Sequence, residues 1–130
     1  MKRLLLGLML LMTATAASAE WTQFGDTDRF IHYVDFATIR RNGNFVKMWS
    51  LNDYKTLQKS PAGHSYLSDK TQREYDCKEE KSRLLAFTDF SGQMGNGNVV
   101  YSNGNVRDEW SPIEPGSIGE TKWKIACGKL

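Results

Sequence analysis

The side chains able to do chemistry in this 130-residue chain are few and scattered. Its two cysteines are Cys77 and Cys127, and its two histidines are His32 and His64. The cysteines lie far apart and form no C-x-x-C, the arrangement that lowers a thiol pKa for redox work. An even pair in an oxidising compartment is most simply one structural disulfide. Neither histidine has a partner at metal-ligand spacing, and Asp26-Thr27-Asp28 is too short for a calcium loop of the helix–loop–helix type. His32 falls in a strand-like run and reads as a packed or rim residue. His64, between Gly63 and Ser65, reads as loop surface. No metal and no cofactor are expected.

Catalytic patterns are missing as well. There is no G-x-S-x-G for a serine nucleophile. Glu79-Glu80 and Asp108-Glu109 are carboxylate pairs, but acid–base work needs one member desolvated so that the two pKa values separate, and both pairs sit among charged turn residues. Gly92-Gln93-Met94-Gly95-Asn96-Gly97 has the glycines of a phosphate loop without its Gly-Lys-Ser/Thr ending. A strand-like Val99-Val100-Tyr101 follows where the phosphate would need a helix N-terminus, so the segment reads as a flexible strand connection. The chain is therefore not expected to be an enzyme. Two features suit contact with a partner instead: Arg40, Arg41 and Lys47 as a small basic patch, and Trp110 in a proline-bearing segment. Trp49 and Trp123 read as core.

The elements that must position these residues begin after a leader. Lys2 and Arg3 precede the apolar run Leu4–Met12, and Ala17-Ser18-Ala19 fits the A-x-A cleavage pattern, so residues 1–19 read as a secretory signal cleaved between Ala19 and Glu20. The apolar run is well short of the ~20 residues a spanning helix needs, so no membrane span is expected. No cysteine follows the cleavage site, so no lipid anchor on an N-terminal cysteine is expected either. The chain carries 17 Lys and Arg against 15 Asp and Glu. Loss of Lys2 and Arg3 leaves a neutral mature protein without a basic stripe, which argues against nucleic acid as a partner, because phosphate neutralisation supplies most of that affinity. Residues 20–130 suffice for one domain and are too few for two.

Within 20–130 most segments read as strands separated by turn residues. Trp21–Phe24 suits a short edge strand, Arg29–Val34 and Thr38–Arg41 suit two strands with a turn at Asp35, and Asn42-Gly43 predicts a type I′ hairpin. That register sets Arg41 opposite Asn44 and Ile39 opposite Val46. Ile39, Val46 and Met48 then share one face, and Phe45, Trp49 and Leu51 the other, as in a central strand covered on both sides. Lys55–Gly63 reads as a loop. The second half of Tyr66–Cys77 and the run Ser82–Phe90 read as further strands, followed by Val99–Tyr101 and an irregular stretch from Asn103 to Pro115.

The chain closes differently. Ser117-Ile118-Gly119-Glu120 matches a capping box, and Gly128 suits a left-handed cap. Between them Gly119, Trp123, Ala126, Cys127 and Leu130 fall on one helical face. A helix from Ile118 to Cys127 is too short to be stable alone, so its apolar stripe should lie on the sheet, and Cys127 on that stripe would tie it to the strand carrying Cys77. The fold class expected is α+β, mainly β: an antiparallel sheet of five to six strands with one short C-terminal helix packed on a face and tethered by a disulfide.

Several stretches together resemble the bacterial surface-adhesin protein E-like domains. They are Tyr33-Val34-Asp35, Thr38-Ile39-Arg40-Arg41, Val46-Lys47-Met48-Trp49, Asp53-Tyr54-Lys55 and Glu74-Tyr75-Asp76-Cys77-Lys78. Downstream come Ser91-Gly92, Met94-Gly95, Gly97, Trp110-Ser111-Pro112-Ile113, Pro115-Gly116-Ser117 and Trp123-Lys124-Ile125-Ala126-Cys127-Gly128, all in the family's order. The resemblance implies an antiparallel sheet with a disulfide-tethered C-terminal helix, a homodimer, and binding of host extracellular-matrix or plasma proteins such as laminin, vitronectin and plasminogen. It supplies no catalytic residues. The expected function is that of an exported non-enzymatic binding domain at the periplasm or cell surface of a Gram-negative bacterium. The alternative is a periplasmic structural or envelope accessory protein with no host ligand.

Overall fold

In the computed structural model, residues 20–130 are described. The expected signal and its Ala19 side of the cleavage site lie outside them. The chain runs as an antiparallel meander: β1 (Thr22–Asp26), β2 (Phe30–Asn42), β3 (Phe45–Lys59), β4 (Ser65–Asp76), β5 (Lys81–Phe90) and β6 (Val99–Asn103), each paired with the next. A two-residue β7 (Ser111–Pro112) also pairs with β5, at the end that β6 leaves free. Helix α1 (Ile118–Cys127) then crosses one face.

The period-2 pattern of β3 shows why this sheet needs a cover. Val46, Met48 and Ser50 are buried while Phe45 and Lys47 are exposed, so one face is apolar where the other meets water. Val34, Val46, Met48 and Tyr75 form the core of that face, and Trp123, Ile125, Ala126 and Cys127 of α1 close over it. The Cys77–Cys127 disulfide fixes the helix to the end of β4, as expected. Ser117 caps α1 by accepting the Glu120 amide at 3.1 Å. The Glu120 side chain does not complete the box and lies 3.5 Å from Lys124 one turn on. Gly128 ends the helix at φ +67°. Leu130, expected on the buried stripe, is therefore beyond the helix and 84% exposed, and Ile125 takes the buried place instead.

Several strand boundaries differ from expectation: β4 already begins at Ser65 rather than midway through Tyr66–Cys77, and β7 lies within the stretch expected to be irregular. Asp35 does not divide two strands: β2 is continuous through an irregularity between Asp35 and Arg40. There the Asp35 carboxylate accepts the Ala37 amide at 3.1 Å, and Thr38 Oγ1 accepts the Trp49 amide at 3.0 Å in place of a ladder bond. The hairpin loop is Gly43-Asn44, with Arg41 opposite Val46 and Asn42 opposite Phe45. Gly43 has φ +61° and Asn44 has no positive φ, so the turn needs glycine only at its first loop position, the requirement of a type II′ rather than a type I′ turn. Lys55–Lys59, expected in a loop, belongs to β3, where Gln58 and Lys59 pair with Tyr66 and Ser65.

The opposite face of the sheet is covered locally by the connection between β5 and β6. That connection is pinned rather than loose. Buried Ser68 donates to the Gly92 carbonyl at 2.6 Å and accepts the Gly95 amide at 2.9 Å, and Asp53 accepts the Met94 amide at 2.9 Å. A Cβ on Gly95 would lie 3.4 Å from Leu51, so the turn rests on that side chain. Within the chain α1 covers Val46 and Met48 and this turn covers Leu51, while Phe45, on the same face as Leu51, stays 42% exposed.

Candidate functional site

The sheet's two faces carry two different chemistries. On the face away from α1, Arg40, Lys47, Glu74 and Arg83 are direct neighbours across β2, β3, β4 and β5. Direct cross-strand partners share a face, so three cations and one anion stand in one row. Arg83 donates from Nε and Nη2 to Glu74 Oε1 at 2.9 and 2.6 Å, which neutralises one of the cations. Its guanidinium also lies 4.6 Å from the centroid of the Trp110 ring. Trp110 in turn packs against Phe45 with centroids 5.5 Å apart. Arg40 is held by two bonds from Nη1 to the carbonyls of Ala37 and Ile39, and Arg41 by one from Nε to the Gly43 carbonyl.

All four residues singled out for partner contact therefore gather at one end of the sheet. Arg40, Arg41 and Lys47 line a shallow depression of about 200 Å³ together with Phe45 and Glu74, and Trp110 adjoins it through Phe45. Sequence reasoning missed Phe45, Glu74 and Arg83. Phe45 read as an inward residue of a strand covered on both sides, and Arg83 meets Glu74 only through the β4–β5 register.

The α1 face is polar beyond the helix. His32 Nδ1 lies 2.9 Å from Asn52 Oδ1, and Asn52 Nδ2 donates to Asp69 Oδ1 at 2.9 Å. Tyr54 donates its hydroxyl to Asp69 Oδ2 at the same distance. Because the Asn52 amide faces the carboxylate, its oxygen faces the imidazole, and His32 Nδ1 must carry the proton. Burial keeps His32 below its usual pKa, so the ring is neutral and Nε2 is a buried lone pair without a partner. The Tyr75 hydroxyl is likewise buried and unpartnered, and burial raises its pKa. Burial, with Arg73 nearby, lowers Lys122 to about 8. Among the described residues no group of three His, Cys, Asp or Glu side chains is placed to hold a metal ion, and no helix is long and apolar enough to cross a membrane.

Further along this face Asp69 and Asp89 stand directly opposite each other on β4 and β5. Both are buried. Burial raises Asp69, and burial followed by the Asp69 charge raises Asp89 from 3.8 to about 6. His64 acts on Asp89 in the other direction, as Lys122 does on Asp69, and Tyr54, Tyr66 and Tyr101 also stand around the pair. The native state thus holds the Asp89 proton more tightly than the unfolded chain does, so this group favours folding below about pH 4, and that contribution is lost as pH rises through 6. Asp89→Asn is expected to raise the unfolding free energy at pH 7.5 by about 1–2 kcal/mol, with the gain shrinking towards zero at pH 4. Urea unfolding of both proteins across this range checks it, and a gain independent of pH would contradict the assignment.

Comparison with known proteins places this geometry. The family model described as surface-adhesin protein E matches residues 21–128. No curated protein matches the chain. Among solved structures, crystal form II of Haemophilus influenzae protein E is similar with a TM-score of 0.62 at 11% identity, over 86% of this chain and 97% of that one. The selenomethionine form of H. influenzae protein E gives 0.59 at 12%, over 80% and 89%. Protein E from non-typeable H. influenzae gives 0.56 at 9%, over 85% and 86%. At these identities the structures speak for the fold, and the family rests on the sequence model, which spans nearly all of residues 20–130. The chain belongs to the surface-adhesin protein E family.

Proposed function

We propose that this protein is an exported, non-enzymatic adhesin-type domain that binds a host extracellular-matrix or plasma protein through the sheet face opposite α1. The observation that carries the reading is the row Arg40–Lys47–Glu74–Arg83 beside Phe45 and Trp110. Tryptophan and arginine are enriched among the few residues that dominate binding at protein interfaces, and a net excess of cations steers an acidic partner to the patch. Lys47 is exposed and makes no ion pair among the described residues, so its charge is free for a partner. Family membership supports a surface role, and the expected signal through Ala19 would deliver the domain to the periplasm or beyond.

The test is binding of the mature, oxidised protein to immobilised laminin, vitronectin and plasminogen, compared with Lys47→Glu and Trp110→Ala. Each variant is expected to weaken binding about tenfold or more, and raised salt should weaken the wild type most. Binding equal in all three proteins would reject the patch. Fractionation of cells expressing the full chain tests the location: protein confined to the periplasm and absent from intact cell surfaces would favour an envelope accessory role instead.

A further inference from the structure

The groove at the open end of the α1 face is a second concavity, on the opposite side of the sheet from the Arg40–Lys47 row. It measures about 470 Å³, within the size range of small-molecule sites. Asp69 and Asp89 line it, together with Tyr66, His64, Phe87 and Tyr101. Tyr101 links the wall, with its ring centroid 5.5 Å from Phe87 and 6.1 Å from His64. The two carboxylates differ in one respect. Asp69 is occupied on both oxygens by Asn52 and Tyr54. Asp89 is only 8% exposed, yet among the described residues its carboxylate takes part in no hydrogen bond and no ion pair.

A carboxylate on so enclosed a side chain is ordinarily paired, whereas the Asp89 oxygens open onto the groove. Here its charge instead faces Asp69 across adjacent strands, where like charges repel. A cation in the groove would relieve both conditions, and aromatic faces attract cations as well. An inorganic ion would leave the aromatic wall unused, whereas an alkyl stem would cover it. We propose that the groove binds a free organic cation, a primary alkylammonium or alkylguanidinium, with Asp89 as its counter-ion and the Tyr66, Phe87 and Tyr101 rings around its stem.

The site can be probed with n-butylammonium chloride against its neutral isostere 1-butanol. Each is titrated at pH 7.5 and low salt into the isotopically labelled, oxidised protein and followed by amide chemical shifts. Saturable shifts confined to the groove are expected, with n-butylammonium preferred over 1-butanol by about tenfold. Asp89→Asn should abolish that preference. Because this variant is expected to be the more stable protein at pH 7.5, its loss of binding would not reflect misfolding, and its amide spectrum away from the groove should match the wild type. Absence of saturable binding, equal affinity for the alcohol, or an undiminished preference in Asp89→Asn would each overturn the proposal. A third titration uses acetyl-Gly-Lys-Gly-amide. Tighter binding of that peptide than of the free amine would show a protein lysine to be the occupant and overturn the assignment to a free amine.

Discussion

Trp123→Ala is expected to remove about 4–5 kcal/mol of stability, close to the whole of it for a domain at the lower end of the usual range. Trp123 is 5% exposed and packs in the cluster formed by Val34, Val46, Met48 and Tyr75. Its Nε1 also donates to the Asp76 carbonyl at 2.9 Å, which ties the helix to the last residue of β4. Truncation therefore opens a cavity under α1 and strands a carbonyl at the same time. Trp123→Phe keeps much of the apolar volume and loses the hydrogen bond, so it should cost markedly less than alanine. Urea unfolding followed by far-UV circular dichroism measures both. An alanine variant within about 1 kcal/mol of the wild type would mean that α1 contributes little to the fold, contrary to this packing.

Removing the disulfide is the second large effect. The Cys77–Cys127 bond spans 50 positions, and closing a loop of that length is worth about 4 kcal/mol in the chain-entropy model. The double variant Cys77→Ala, Cys127→Ala should lose an amount of that order, and reduction of the wild type should reproduce it. Hydrogen exchange gives the sharper readout, because amides of α1 should lose protection before those of β3 and β4. Equal loss across helix and sheet would show that the bond stabilises the fold as a whole rather than the docking of the helix. Trp123 and Cys127 lie one turn apart on α1, so combining the two changes should cost less than their sum. A helix already released has no docked contacts left to lose.

These two effects were foreseeable because the features behind them are local. Ser117, Glu120 and Gly128 mark the limits of α1 through backbone groups within a turn of each, and the apolar stripe needs only a period of 3.6 residues. Two cysteines, one on that stripe and one at a strand end, have a single way to pair. The antiparallel class follows from alternation in the same way. Even so, Leu130 shows the limit of periodicity, which continued past the glycine where the helix itself stops.

The candidate sites depended on longer-range facts. Asp35 resembles a turn residue, yet Thr38 replaces a ladder bond to Trp49 and keeps β2 whole. Lys55–Lys59 is too polar to suggest a strand, but backbone pairing with Ser65 and Tyr66 does not depend on side-chain hydrophobicity. Arg40, Arg41, Lys47 and Trp110 could be picked out by residue type. Their union with Phe45 and Arg83 needed the strands to be set side by side. Asp69 and Asp89 are twenty positions apart, and the register shift between Gln72 and Arg73 lies between their pairing and the β4–β5 turn. A shift of one residue would turn one of them to the other face. By itself the sequence determined the class of fold, the helix and its tether. The tertiary structure alone decided which charges meet and which remain unpaired, because strand register is set by contacts between segments that are distant along the chain.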